Sequence, residues 1–181
     1  MRFMNHLNMF AVTKTIRPPL MLVEQIFRHL HMPPKLACEF LATFSRMEYA
    51  LKSTKYAIGD DKKVDPAWDR FANDIHEAFE GIAEPDLLEA KNYLLSHPPR
   101  KQTLAGHKIT FIDQAIDAKQ RTSQQLLLMV RTVRNNLFHG GKYLPDGEQE
   151  EGRNNLLVKH SLTVLLACSK LDHEVRSSFE H

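Results

Sequence analysis

Cysteine is scarce in this chain, which has two, Cys38 and Cys168, among 181 residues. Both fall within apolar helical patterns, so we favour free, buried thiols in a reducing compartment over a disulfide. No apolar run approaches the roughly 18 residues that a membrane-spanning helix requires. Polar residues interrupt the mildly basic, Met-rich N-terminus, which therefore does not have the apolar core of a signal peptide. We expect a cytoplasmic protein.

Motifs that bind cofactors or supply a nucleophile are also missing. The chain has no Gly-rich phosphate loop, no Ser or Cys set beside a base, and none of the motifs of kinases, dehydrogenases or hydrolases. Its ten histidines and two cysteines do not have the spacing of a structural zinc site. The sequence therefore predicts no metal and no cofactor.

The length and composition favour one globular domain. Apolar residues make up 43% of the chain and charged residues 25%, which is typical of a globular protein. The net charge is only +2, but residues 97–142 contain eight Lys/Arg and two Asp, whereas the remainder contains 16 Lys/Arg and 20 Asp/Glu. Such a basic window suits a polyanionic partner.

Apolar residues recur at helical spacing along most of the chain, and no strand pattern of any strength is present. We predict an all-α fold, an up-and-down bundle of five or six helices with roughly antiparallel neighbours. Residues 1–17 are expected to form an N-terminal arm and residues 18–181 a single helical domain. The segment from Lys101 to Thr110 is expected to be a loop or a short hairpin arm. The predicted helices cover residues 20–30, 35–57, 85–95, 112–138 and 154–179, and a further one begins at Asp65-Pro66 and carries Trp68, Phe71, Ile75 and Phe79.

The stretch that follows Val133 contains the residues best suited to chemistry. Arg134 and His139 have four residues between them, and Gly140-Gly141 come where the helix is expected to end. Histidine suits acid–base catalysis because its pKa of about 6.5 lies near neutral pH. Arginine suits phosphate because its planar fork stays charged and can bind two oxygens. Together these residue types suit acid–base chemistry at a phosphate group.

The residues Arg134-Asn135-Asn136-Leu137-Phe138-His139, followed by Gly140-Gly141-Lys142, resemble the signature of HEPN (higher eukaryotes and prokaryotes nucleotide-binding) domains. The resemblance covers roughly residues 35–179. It implies a helical bundle that often dimerises, and a metal-independent endoribonuclease that acts as a toxin, an anti-phage effector or an RNA-processing enzyme. It also implies that two motif copies form one composite site across a homodimer, and that a cognate antitoxin is a further partner. Some toxins of this family carry an adenylylated Tyr two residues after the His, where this chain has Gly141.

Carried over residue by residue, the resemblance assigns catalysis to Arg134 and His139, with Asn135 as the polar residue that assists them. Arg131 and Lys142 are expected to contact RNA phosphates rather than to act as catalysts. Glu48 lies beside the apolar stripe of its helix, so we expect it to be a buried partner of an Arg or His, including those of the motif.

Three alternatives remain open on the sequence alone. Arg134 can bind carbonyls at a helix C-terminus, where cations are favoured, and His139 can face water. The chain can also be a non-catalytic, HEPN-like module that binds RNA, a nucleotide or a partner protein, because family resemblance does not guarantee activity. The third alternative is a purely structural dimerisation bundle.

Overall fold

The structure is a computed structural model that describes residues 32–115, 117–138 and 152–181. The predicted N-terminal arm over residues 1–17 and the predicted helix over residues 20–30 lie outside these ranges. His139, Gly140, Gly141 and Lys142 lie outside them as well. Statements about the fold below concern the described residues.

Seven helices are present in the described ranges, and they carry most of the apolar periodicity read from the sequence. They are α1 Pro34–Lys52, α2 Trp68–Asp74, α3 His76–Glu80, α4 Pro85–Ser96, α5 Thr122–Phe138, α6 Arg153–Cys168 and α7 His173–Glu180. Helix α6 packs against α1, α4 and α5, helix α7 packs against α1, and α2 and α3 pack against α5. Among the described residues, no helix is both long and apolar enough to cross a bilayer.

The prediction of an all-α bundle is wrong, because two small antiparallel sheets interrupt the helices. Strand β1, Ala57–Gly59, pairs with β2, Val64–Pro66, and strand β3, Lys101–Ala105, pairs with β4, Lys108–Ile112. The fold is mostly helical but mixed α/β. The hairpin formed by β3 and β4 settles the alternative that the sequence left open between a loop and a hairpin arm.

The sequence did not predict the hairpin of β1 and β2, because its strands are short and its turn depends on local hydrogen bonds. The side chain of Asp60 accepts hydrogen bonds from the backbone N–H groups of Lys62 and Lys63, at 2.9 and 3.1 Å. Gly59 has a φ of 137°, and a Cβ at this position would collide with the carbonyl oxygen of Lys63. The predicted role of Asp65-Pro66 as a helix start is therefore wrong, since both residues belong to β2.

Three predicted helices also have different bounds. Helix α1 ends at Lys52 rather than near residue 57, and α5 begins at Thr122 because Ile112 belongs to β4. The predicted helix over residues 154–179 is two helices, α6 and α7, and Asp172 caps the second. Apolar periodicity continues across each of these breaks, so it does not reveal them.

The core nevertheless uses the predicted stripes. Phe44 of α1 is buried and stacks on Trp68 of α2, with 5.4 Å between ring centroids. Tyr56 is fully buried and meets Phe71 edge-on at 5.1 Å. The buried apolar residues of α5 are Leu126, Leu127, Met129, Val130, Val133 and Leu137.

A polar cluster around Asp172 fixes the corner between α6 and α7. Its Oδ1 accepts hydrogen bonds from the N–H groups of Glu174 and Val175, both at 3.0 Å, and so caps α7. Its Oδ2 accepts the Tyr56 hydroxyl proton at 3.1 Å and pairs with Lys55 Nζ at 3.0 Å. Burial and the Asp172 carboxylate raise the pKa of Tyr56 to about 12, so its hydroxyl remains a donor.

Replacing Asp172 tests this cluster. Asp172→Ala removes the cap of α7, worth about 1 kcal/mol, and leaves the buried Tyr56 hydroxyl without its acceptor, which costs about 1–3 kcal/mol. We expect the free energy of unfolding, measured by urea denaturation, to fall by about 2–3 kcal/mol.

Asp172→Asn is the control for charge, because Asn caps helices as well as Asp does. Burial raises the pKa of the Asp172 carboxyl, but hydrogen bonds from Val175, Lys55 and Tyr56 outweigh it and leave the pKa below its usual value. The resulting stabilisation is complete above the unfolded pKa of about 4 and is lost as pH falls through the lowered folded value. The stability difference between wild type and Asp172→Asn should therefore shrink on acidification. A difference that is constant from about pH 6 to pH 2 would contradict this assignment.

Candidate functional site

The exposed face of α5 near its C-terminal end carries three residues that the sequence assigned to the site, together with Phe138. Arg131, Arg134, Asn135 and Phe138 follow the spacing i, i+3, i+4 and i+7, which places them on one side of a helix. The opposite side is buried in the core. Asn135 and Phe138 are exposed, whereas Arg131 and Arg134 are half-buried.

The Arg134 guanidinium lies over two aromatic rings. Its central carbon is 5.2 Å from the ring centroid of Phe44 and 4.8 Å from that of Phe138. Contacts of this kind contribute about 0.5–1 kcal/mol at exposed sites and more where the cation is desolvated. Phe44 is 2% exposed and also stacks on Trp68, so one of the two rings is anchored in the core.

The polar partners of Arg134 leave part of its hydrogen-bonding capacity unused. Its Nη1 donates to Asn135 Oδ1 at 3.0 Å, and its Nη2 lies 3.8 Å from Glu48 Oε2. The second distance is that of an ion pair and is too long for a hydrogen bond. Arg134 Nε is buried and has no hydrogen-bond partner among the residues that the structure describes. A guanidinium has five N–H donors. Because Nε is buried, an anion would have to bind Arg134 through Nη1 and Nη2.

Glu48 reaches this site from α1, one turn after Phe44. The sequence predicted a buried partner, but the two side chains of the pair are 27% and 26% exposed for Glu48 and Arg134. An ion pair of this exposure contributes about 0–1 kcal/mol. The main effect of the Glu48 carboxylate is therefore to lower the positive electrostatic potential around Arg134. The ion pair contributes little to holding the guanidinium in position.

The structure describes two of the remaining predicted site residues, Arg131 and Asn135. Arg131 lies one turn before Arg134 on the same face of α5, and no contact between the two side chains is described. His139 and Lys142 lie outside the described residues. Asn135 is placed where it orients Arg134 through its side-chain oxygen.

Two residues that the sequence did not assign to the site are Phe44 and Phe138. Phe138 follows Arg134 by four residues, a spacing at which helical side chains meet, so this contact was readable from the sequence. Phe44 comes from a different helix, and its ring serves the core as well. No local pattern identifies such a contact.

Asn136, the second amide of the motif, has a structural role. It is 3% exposed, and its Nδ2 donates to the carbonyl oxygen of Arg100 at 2.8 Å. This bond ties the chain before β3 to α5, two residues from Arg134. The bond therefore anchors the hairpin of β3 and β4 to the buried side of α5, away from the exposed face that carries Arg134.

Other polar pairs in the described ranges do not form a second catalytic site. His76 Nδ1 lies 3.2 Å from Ser123 Oγ, but this hydroxyl is fully buried and donates to the carbonyl of Ala72 at 2.8 Å. The pair therefore packs α5 against the end of α2. No three His, Cys, Asp or Glu side chains of the described residues are grouped as metal ligands.

Comparison of the chain with protein-family models, with curated proteins and with solved structures gives no match.

Neutralising Glu48 tests how it acts on Arg134. Glu48→Gln removes the carboxylate charge beside the guanidinium, so we expect a single-stranded RNA oligonucleotide to bind up to about fivefold more tightly at low salt. The free energy of unfolding should change by less than about 1 kcal/mol. Fluorescence anisotropy and urea denaturation measure the two effects.

Glu39→Gln is the matched control, because Glu39 lies on the same helix and pairs with Lys35 at 3.6 Å. Weaker RNA binding by Glu48→Gln alone would mean that the carboxylate positions Arg134 for its ligand and does not compete with that ligand.

Proposed function

We propose that the protein is a metal-independent endoribonuclease, and that it acts as a toxin or an anti-phage defence effector. The observation that carries the proposal is the state of Arg134. Its guanidinium lies over two aromatic rings, its Nη1 and Nη2 together make one described hydrogen bond, and it precedes His139 by five positions in a HEPN-like motif. Such a cation suits the extra negative charge that develops on phosphorus during RNA cleavage.

The reaction follows from the chemistry of these residue types. A base removes the proton of the 2′-hydroxyl, the 2′-oxygen attacks the adjacent phosphorus, and the bond to the 5′-oxygen breaks as an acid protonates that oxygen. The products are a 2′,3′-cyclic phosphate and a 5′-hydroxyl. We assign proton transfer to His139 and binding of the non-bridging oxygens to Arg134.

The other motif residues support this pair. The side-chain oxygen of Asn135 accepts a hydrogen bond from Arg134, so we assign Asn135 a positioning role. Arg131 and Lys142 would bind phosphates along the RNA and add affinity without reading its sequence.

One motif supplies one histidine, whereas the reaction requires both a base and an acid. We therefore propose a homodimer in which two motifs face each other and form a composite site. The resemblance to HEPN toxins also suggests a cognate antitoxin. We further propose a cytoplasmic location, because both cysteines are free thiols, as is typical of a reducing compartment.

One observation favours the second candidate, a non-catalytic module that binds RNA, a nucleotide or a partner protein. Glu48 lies 3.8 Å from Arg134 and partly offsets its charge. A catalytic site that stabilises negative charge gains from an uncompensated cation. RNA that is bound but remains intact would support this alternative.

Cleavage without metal tests the proposal. The protein is incubated with mixed RNA in EDTA, beside Arg134→Ala and His139→Ala. General acid–base catalysis contributes about 10²–10⁴-fold and positioned charge about 10²–10³-fold, so each variant should lose at least about 100-fold in rate. The new 5′ ends should be hydroxyls, which polynucleotide kinase labels without prior phosphatase treatment.

Arg176→Ala and His173→Ala are the matched controls, because both residues are exposed on α7. They should cut RNA like wild type. If all five proteins cut equally, the activity belongs to a contaminant, and if none cuts, the enzymatic proposal fails.

A further inference from the structure

Phe138 is an aromatic side chain that the core does not use. It is 52% exposed, whereas the apolar residues on the other side of α5 are buried. A single exposed apolar residue needs no explanation by itself. This ring, however, lies one helical turn from Arg134, and the central carbon of the Arg134 guanidinium is 4.8 Å from the centroid of the Phe138 ring.

The position of the guanidinium decides which part of the ring is accessible. Arg134 lies over one face of the Phe138 ring, so the exposed surface belongs to the opposite face and the edge. A flat apolar surface next to a cation matches the two parts of a nucleotide, a planar base and a phosphate. Proteins that bind single-stranded RNA combine aromatic rings that stack on bases with basic groups that follow the backbone.

We propose that the free face of Phe138 stacks on an unpaired RNA base, next to the phosphate that Arg134 binds. This inference rests on the proposed function for its ligand, single-stranded RNA, and extends it to a residue that determines how the substrate is seated. Stacking is tolerant of sequence, because every base has a π-face. Phe138 would therefore select unpaired over paired RNA and leave the base identity largely open.

The local packing favours a fixed ring over a mobile one. On its core side, the Arg134 guanidinium contacts Phe44, which is buried against Trp68. The guanidinium thus contacts the buried ring of Phe44 and the exposed ring of Phe138. A base would add one more planar group to the exposed end of this series.

Binding and cleavage can be measured separately. The probe is a short 2′-O-methyl RNA, which cannot be cleaved because it has no 2′-hydroxyl to attack the phosphate. It contains 2-aminopurine, a base whose fluorescence falls when it stacks. Phe138→Leu keeps an apolar side chain but removes the π-face, and Phe138→Tyr keeps the π-face. Loss of base–aromatic stacking weakens binding by about 5- to 100-fold, so Phe138→Leu should raise the Kd at least about fivefold and abolish the quenching. Phe138→Tyr should stay within about twofold of wild type.

Leu88→Ala is the control for a general loss of exposed apolar surface, because Leu88 is 43% exposed on α4. It should bind the probe like wild type. Thermal unfolding monitored by circular dichroism checks that each variant is folded, and sedimentation velocity reports the oligomeric state.

Three outcomes would overturn the inference. The first is a Phe138→Leu protein that binds and quenches the probe like wild type, and the second is a wild type that binds no RNA. The third is a Phe138→Leu protein that loses its oligomeric state, which would assign the ring to an interface between copies. If Phe138 affects binding as expected but unmodified RNA is never cut, the stacking inference stands and the endoribonuclease proposal fails. If wild type and Phe138→Leu bind the probe equally and also cut unmodified RNA equally, the stacking inference fails and the endoribonuclease proposal stands.

Discussion

Burial of one face of α5 is the constraint on which the candidate site depends. Val130, Val133 and Leu137 pack into the core, and helical geometry then fixes the direction of every other side chain on the last two turns. Arg134 and Phe138 are consequently held at the surface without any loop to position them. Sites built on regular elements are more precise than sites on loops, because packing restricts their motion.

The surroundings of Arg134 differ from those of a structural arginine in the same protein. Arg46 donates from Nε to the carbonyl of Phe179 at 2.9 Å and from Nη2 to that of Ser178 at 2.6 Å, so it serves the C-terminal end of α7. Arg134 is held chiefly by ring contacts, which stabilise the cation without occupying its N–H donors. This combination leaves a positive charge in a fixed place, with N–H donors on Nη1 and Nη2 that ring contacts do not occupy.

The sequence predicted the helical core well and the interruptions poorly. The stripe of Leu126, Val130, Val133 and Leu137 could be read because it follows from one period within one element. The hairpin of β1 and β2 could not, since it depends on Gly59 and on backbone hydrogen bonds to Asp60. At the site, the polar residues came from a local motif, whereas the contact with Phe44 joins residues 90 positions apart and follows only from the packing of α1 against the rest of the core.

The salt dependence of RNA binding tests the central claim, that Arg134 binds an RNA phosphate. A phosphate contact releases a counterion from the nucleic acid, so each one adds about 0.7 to the slope of log K against log salt concentration for single strands. Titration of an uncleavable RNA at several salt concentrations should give an Arg134→Gln slope that is smaller than that of wild type by about 0.7. Equal slopes for the two proteins would show that Arg134 does not contact the backbone and would contradict this account.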